Sequence, residues 1–274
     1  MTRVSIVTPS YNQRRYLGEC IESVRREKEG SDVEHLVVDG ASTDGTPELL
    51  ERAALSVDRC WSEPDDGPAS ALNKGFVRAR GDIYTYINAD DYLLPGTVVR
   101  ALKVFSQEPD TDVVYGHGLM VDAEGREICR IYSDRWDLER ALYGRCPVVQ
   151  QGTFFRADAF ERAGGFNEAN RTCWDGELLV DMAAEGARFR RIDQVLGAFR
   201  VHESSITGSG RLEEEYSRDR RRIREKLTGG ESRFAVMARR KWHGARRILA
   251  EPTLALARAR ERIRRRMVRS ARGI

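Results

Sequence analysis

The sequence predicts an α/β fold: a mostly parallel sheet flanked by helices, with a basic helical C-terminal extension. Three observations carry the expectation. Short β-branched runs alternate with segments of helical period, each run ends in a cluster of small polar and acidic residues, and charge divides the chain in two. Residues 211–274 hold 21 Lys and Arg against 8 Asp and Glu, whereas residues 1–210 hold 25 against 35, giving net charges of +13 and −10. Two regions with different surroundings are implied, and 1–210 and 211–274 are the expected domains.

Val4-Ser5-Ile6-Val7-Thr8 is a β-branched run that ends at Pro9-Ser10-Tyr11-Asn12, where proline and small polar residues favour a turn. Tyr16, Leu17, Cys20, Ile21 and Val24 then recur at three- and four-residue spacing, which predicts an amphipathic helix stopping in the charged stretch Arg25 to Gly30. The alternation repeats as strand Glu34 to Val38, turn Asp39 to Gly45, helix Thr46 to about Leu55, strand Asp58 to Ser62 and helix about Ala69 to Arg80. A further strand, Ile83 to Ile87, ends in Asn88-Ala89-Asp90-Asp91. The next helix is expected near Pro95, because proline is tolerated in a first turn.

With 274 residues, 41% of them hydrophobic and 32% charged, the chain can bury one sizeable core, and collagen-like or mostly disordered classes are excluded. No apolar run reaches the ~18 residues of a membrane span and no signal-like segment precedes the first strand, so a cytoplasmic protein is expected. Five widely spaced cysteines without a C-x-x-C pair indicate neither a disulfide framework nor a zinc site.

In parallel α/β sheets ligands bind beyond the carboxyl ends of the strands. The polar clusters fall there: Thr8 to Asn12, Asp39 to Gly45, Glu63-Pro64-Asp65-Asp66-Gly67 and Asn88 to Asp91. A single cluster reads as a helix cap or Asx turn, but four on one rim read as a binding site. Neither G-x-G-x-x-G nor the P-loop pattern is present, and Gly116-His117-Gly118 lacks the third glycine. Carboxylates at Asp39, Asp90 and Asp91 suit another arrangement. In it, acidic and amide groups hold a base and ribose while a carboxylate-bound Mg2+ or Mn2+ neutralises a diphosphate.

The series Val7-Thr8-Pro9-Ser10-Tyr11-Asn12, Val37-Val38-Asp39 to Thr46, Ala71-Leu72-Asn73-Lys74-Gly75 and Asn88-Ala89-Asp90-Asp91 resembles the family 2 glycosyltransferases of the GT-A fold, a Rossmann-like architecture. Gln151 to Arg156, Gly164-Gly165-Phe166-Asn167-Glu168, Trp174-Asp175-Gly176-Glu177-Leu178 and Phe199 to Ser205 follow in that family's order, so the resemblance covers about residues 3–207. It implies an inverting enzyme that moves a sugar from a nucleotide donor to a hydroxyl acceptor in polysaccharide or glycoconjugate synthesis. It also implies that Thr8, Pro9 and Tyr11 surround the base, that Asp39 accepts from a pyrimidine N3–H, and that Asp90 ligates the metal. Uracil and thymine both present that imide donor, so a UDP- or dTDP-linked sugar is expected. Asp66, Lys74, Asn88 and Ala89 complete the expected nucleotide site. Asn88 departs from the family's usual Asp; an amide can hydrogen-bond ribose but adds no charge to a metal site.

One in-line displacement requires the acceptor hydroxyl to lose its proton as it attacks, so a carboxylate must lie on the face opposite the leaving diphosphate. Asp175 matches the family's catalytic Asp and reads equally as an N-cap, roles that are compatible. Glu177 is the rival base, and Trp174 is expected to form a sugar or acceptor platform with its aromatic face. His202 reads as a metal ligand, a phosphate contact or a satisfied core histidine. Asp91 reads as a partner of the site or a helix cap. Lys74 and Arg200 read as diphosphate counter-charges or as surface residues.

Two other classes compete. A sugar nucleotidyltransferase shares the fold class but needs a Gly-rich, Arg-containing loop after the first strand, and Pro9-Ser10-Tyr11-Asn12-Gln13 is not one. A nucleic-acid module is suggested by Arg220-Arg221-Arg222, Arg239-Arg240-Lys241 and Arg264-Arg265-Arg266, against which the acidic body argues. In the tail, Phe234, Met237, Trp242, Leu249, Leu256, Ile263 and Met267 are interleaved with cations, and Pro252 is expected to separate two helical pieces. Such a basic amphipathic tail reads as a peripheral anchor on an anionic membrane. It reads also as a stripe packed on the body, or as a disordered end.

Overall fold

The structure, a computed structural model, describes residues 2–144, 146–203 and 213–272. The expected boundary at residues 210 and 211, and Ser204-Ser205, lie outside the described residues. The parallel half of the sheet consists of β1 (Val4–Ser10), β2 (Val33–Asp39), β3 (Arg59–Ser62) and β4 (Ile83–Tyr86), in the spatial order β3-β2-β1-β4. Helices α1 (Arg14–Glu27), α2 (Thr46–Arg52) and α3 (Pro68–Val77) connect these strands where the periodicity predicted them.

Beyond β4 the sheet is mixed. β8 (Thr153–Arg156) lies antiparallel between β4 and β6 (Val113–Val121), and β9 (Phe189–Arg200) runs parallel to β6. The short β5 (Tyr92–Leu93) pairs with β9, and β7 (Glu127–Ile131) closes a hairpin on β6. Nine strands therefore form one sheet among the described residues, all parallel in its N-terminal half and mixed beyond β4, where β6 and β9 are again parallel. Gly116-His117-Gly118 lies inside β6, where a side chain at Gly116 would meet Leu196; it is not a phosphate loop.

Both faces are buried. Val4, Ile6, Ile83 and Ile87 pack with Cys20 and Val24 of α1 and with Val98, Ala101 and Phe105 of α4 (Thr97–Gln107). On the other face Val7, Leu36, Val38, Tyr84 and Tyr86 meet α3, α6 (Ala157–Arg162) and α7 (Trp174–Ala184). Gly75 lets α3 lie close on β1, since a Cβ there would collide with Val7. The start of α4 follows Gly96, which offers no capping side chain. Buried Glu27 at the end of α1 substitutes, taking the N–H groups of Gly96 at 2.8 Å and Val98 at 2.7 Å.

The two second-half motifs of the sequence are tied back to the first half. Asn73 donates to the Phe166 carbonyl and Glu168 and accepts from the Phe166 N–H at 3.0 Å, fixing the Gly164 to Glu168 loop against α3. All five cysteines are free, with Cys60 exposed and the others buried. None of the described helices is long and apolar enough to cross a membrane.

The basic extension forms α8 (Glu213–Thr228), α9 (Arg233–Ala250) and, after Pro252 as expected, α10 (Pro252–Arg272). It docks on the body by opposite charge. Arg222 forks onto Glu177 at 2.5 and 2.7 Å, Lys226 reaches Asp181 at 2.8 Å, Arg247 and Arg258 converge on buried Asp134, and Arg264 meets Glu127. Ile223 adds an apolar plug among Ala141, Leu142 and Tyr143, beside α5 (Leu138–Leu142). Removing the guanidinium in Arg222→Ala leaves the Glu177 carboxylate, 2% exposed, with amide donors alone. A loss of about 1–3 kcal/mol is expected, read as a lower midpoint in thermal denaturation, and an unchanged midpoint would mean that this pair does not hold the extension.

Candidate active site

A cleft of about 690 Å³ opens at the carboxyl ends of the parallel strands, where the four polar clusters were expected to meet. Of the residues singled out from sequence, Pro9, Tyr11, Asp66, Asn88, Ala89, Asp90, Trp174 and Asp175 line it. Ser10, Asp65, Tyr86, Gln150, Gln151, Arg171, Thr172 and Phe199 line it too and were not singled out as site residues. Ser10, Asp65, Gln151 and Phe199 stand within the quoted motifs and clusters, whereas Tyr86, Gln150, Arg171 and Thr172 stand outside them and are brought there by the fold.

The rim is preorganised by bonds between its loops. The Asn12 N–H donates to Ser42 Oγ at 2.7 Å, the Thr43 N–H to Asn12 Oδ1 at 2.9 Å, and the Gly40 N–H to the Ser10 carbonyl at 2.8 Å. Asn12 and Ala41 both hold positive φ, 52° and 60°, a conformation that costs non-glycine residues energy and that the surrounding bonds impose.

At the end of β4 the chain splits its two aspartates between core and cleft. Asp91 is buried and accepts from the Arg200 N–H at 2.9 Å, Gln151 Nε2 at 2.8 Å and Asn88 Nδ2 at 3.2 Å. Burial and the neighbouring Asp90 charge push its carboxyl well above the ordinary range, although these donors favour the ionised form. It does not cap the following helix, which starts after Gly96. Arg200 is not a surface residue. Its guanidinium is buried on the Asp90 carbonyl, the Ala123 carbonyl and Glu19, beneath the ring of Tyr16.

Two residues further on, His202 Nε2 lies 3.0 Å from Asp90 Oδ2, and the imidazole packs on Tyr16 with ring centroids 4.8 Å apart. The two expected metal residues are therefore adjacent, with Asp90 on the cleft wall and His202 buried behind it. Among the described residues no group of three or more His, Cys, Asp or Glu could hold a metal by itself. One carboxylate and one imidazole, with the remaining positions left to phosphate oxygens and water, nevertheless fit the way Mg2+ or Mn2+ is bound beside a nucleotide.

Asp175 lies in the first turn of α7, and Cys173, not Asp175, takes the N-cap position, so the capping reading does not hold. Burial in the cleft wall raises its carboxyl above the ordinary range, and the N–H groups of Gly176 and of Asp175 itself draw back only part of the shift. Tyr86, beside it in the cleft, is kept protonated by its own burial and by the Asp175 charge. Trp174 packs into the apolar cluster under α7 and borders the cleft.

Besides His202, four expected site residues do not reach the cleft with their side chains. Thr8 is buried and its hydroxyl lies 2.9 Å from His35 Nε2. Asp39 is fully buried, its carboxylate taking the Ser42 N–H and the hydroxyls of Ser42 and Ser62 at 2.9, 2.5 and 2.6 Å. Lys74 pairs with Glu63 at 3.2 Å and donates to the Pro64 carbonyl, bracing the loop whose Asp65 and Asp66 form a cleft wall. Glu177 turns away from the cleft into the fork of Arg222 and the amides of Asn167 and Asn170. Burial would raise its carboxyl, but these donors outweigh it and hold it below the ordinary range, so the rival base is a structural anchor.

The family model described as "Glycosyl transferase family 2" matches residues 5–161. A "PGL/p-HBAD biosynthesis glycosyltransferase" of Mycobacterium tuberculosis is 31% identical over 203 residues, covering 71% of this chain and 75% of its own. Among solved structures, Staphylococcus aureus TarS 1–349 in complex with UDP-GlcNAc superposes with a TM-score of 0.63 at 18% identity, covering 82% of this chain and 71% of that one. The mannosyltransferase PcManGT from Pyrobaculum calidifontis, in complex with GDP-Man and Mn2+, gives 0.64 at 21%, covering 94% and 74%. The structural likenesses establish the GT-A type of fold, and the family match, which spans more than half of the chain, establishes the rest: the protein belongs to the family 2 glycosyltransferases.

Proposed function

We propose that this glycosyltransferase moves a sugar, with inversion, from a UDP- or dTDP-linked donor to a hydroxyl of a glycan or lipid-linked acceptor in surface polysaccharide or glycoconjugate synthesis. The observation that carries the reading is the one cleft that Asp90 and Asp175 share, Asp175 raised by burial and Asp90 backed by His202 at 3.0 Å. Orphaned buried oxygens in the same cleft, Ser10 Oγ and Gln150 Oε1, are polar groups that a bound ligand would satisfy.

In this reading Asp90 and His202 hold Mg2+ or Mn2+, which when bound supplies positive charge against the leaving diphosphate. Asp175 accepts the proton of the acceptor hydroxyl while its oxygen bonds to the anomeric carbon. The bond from that carbon to the diphosphate oxygen breaks, and the nucleoside diphosphate leaves with the electron pair. In this reading Tyr11, 63% exposed, and Pro9 border the base, and Asn88, which lines the same cleft, takes the ribose. The pyrimidine assignment rests on Asp39 and requires the Ser42 hydroxyl, now on its Oδ1, to yield to the N3–H of the base. The two structural neighbours carry UDP-GlcNAc and GDP-Man, so the base is a point to measure. The reading extends to where the enzyme works, a membrane face that presents the acceptor.

Calorimetry with UDP, dTDP, GDP and ADP, with and without Mn2+, is expected to favour one of the first two and to show tighter binding with the metal. Asp90→Ala should abolish the metal-dependent part. Preference for GDP or ADP would overturn the base assignment, and equal binding with and without Mn2+ would overturn the metal assignment.

Asp175→Asn preserves shape and removes basicity. Transfer is expected to fall by roughly 10²–10⁴-fold, with donor affinity nearly unchanged. Because a base works only when deprotonated and burial raises this carboxyl, wild-type turnover at saturating donor should rise with pH. Its apparent pKa should lie above the ordinary carboxylate range. The variant should lose that limb, and a variant within a few-fold of wild type would place the base elsewhere.

A further inference from the structure

The extension carries an arrangement that its sequence leaves open. A basic helix with an apolar stripe ordinarily buries the stripe and leaves the charges in water. Here the ion pairs face the body and the stripe faces out. On α9, buried His243 stacks on Tyr143, Val236 packs into the cluster around Ile223, and Arg239, Arg246 and Arg247 pair with Glu231, Glu139 and Asp134. On α10, Arg258 takes Asp134, Glu261 accepts from the Arg130 N–H, Arg264 takes Glu127, and Val268 packs beside Met120 and Ile128.

The large apolar residues of both helices are left in solvent: Phe234 81% exposed, Trp242 63%, Leu249 79%, Leu256 64%, Ile263 60% and Met267 67%. Leu256, Ile263 and Met267 recur at the seven- and four-residue spacing of one helical stripe. Arg240, Lys241, Arg260, Arg262 and Arg266 are exposed beside these residues, and among the described residues none of the five enters an ion pair. Packing of the stripe on the body, one of the sequence-based readings, is thereby excluded for these two helices.

We infer that α9 and α10 form an in-plane membrane-docking surface for an anionic bilayer, with the apolar stripes entering the headgroup and acyl boundary and the unpaired cations meeting lipid phosphates. Charge complementarity selects this occupant. A second copy of the chain would bring like-charged helices face to face, whereas an anionic lipid surface neutralises them and accepts the apolar groups together. The inference deepens the reading of a lipid-presented acceptor but does not depend on the donor or on Asp175. It can therefore fail while nucleotide binding stands.

Full-length protein is to be sedimented with vesicles of phosphatidylcholine alone and of phosphatidylcholine with phosphatidylglycerol. Binding is expected to the anionic vesicles only, and to weaken as salt is raised. A triple variant, Trp242→Ser with Leu256→Ser and Ile263→Ser, alters only exposed side chains. It should lose at least about tenfold in partition while keeping the wild-type melting midpoint and UDP affinity. A second variant, Arg260→Gln with Arg262→Gln and Arg266→Gln, should lose the preference for anionic vesicles. No binding to either vesicle, equal binding to both, or undiminished binding by the triple variant would overturn the inference. So would a stable dimer in light scattering that the triple variant abolishes, since the stripe would then serve a second copy.

Discussion

Everything at the mouth of the cleft depends on one buried carboxylate. Asp91, sealed at the end of β4, draws donors from three directions: the Arg200 backbone on β9, Gln151 on the turn before β8, and Asn88 on its own loop. A carboxylate taken out of water is costly unless its oxygens are filled, so these elements must converge for the fold to be stable. Their convergence fixes the rest. Arg200 then has its guanidinium under the Asp90 peptide, and the residue two positions later, His202, arrives at Asp90 Oδ2. The turn closed by the Asp91 N–H on the Asn88 carbonyl at 3.0 Å separates the two side chains, Asp91 inward and Asp90 on the cleft.

The opposite wall is held by a comparable device. Asp175 projects from the first turn of α7, and the same turn carries Glu177, which is locked by Asn167, Asn170 and Arg222. Thr172, on the cleft wall, bonds Asp219 of α8 at 2.8 Å. The basic extension is thus joined to the element that bears the proposed base, and the acidic surplus of the body is the counterpart that keeps it there. Arg222, Lys226, Arg246, Arg247, Arg258 and Arg264 spend their charge on acids of the body, and the remaining cations stay at the surface.

Local pattern made the first four strands, α1 to α3 and the break at Pro252 legible, because β-branched runs, helical spacing and a proline are read from neighbouring residues alone. The rim was legible for the same reason: strand ends are read directly, and Asp90, Asn88, Tyr11 and Asp175 all fall on the cleft. What depended on distant partners was not. Two-residue β5 and the antiparallel insertion of β8 exist only because β9 and β6 receive them. Glu27 looked like part of a charged helix stop and is a buried cap for α4; Glu177 looked like a base and is an anchor. Thr8 and Asp39 sit in motifs expected to surround a nucleotide, yet His35, Ser42 and Ser62, residues no spacing rule connects to them, hold their side chains inside. The outward apolar faces of α9 and α10 required coordinates for another reason. Sequence gives the stripe, but which side of a helix meets the body is set by the acids waiting there.

Asp90, backed by His202, and the raised carboxylate of Asp175 share one cleft, and their proposed roles stand or fall together. Those roles are tested most directly by a crystal structure of the full chain grown with UDP and Mn2+. The account requires Mn2+ on Asp90 Oδ2 and His202 Nε2, the diphosphate against it, and Asp175 facing the space next to the terminal phosphate. A diphosphate bound outside this cleft, or a metal held without Asp90, would contradict it.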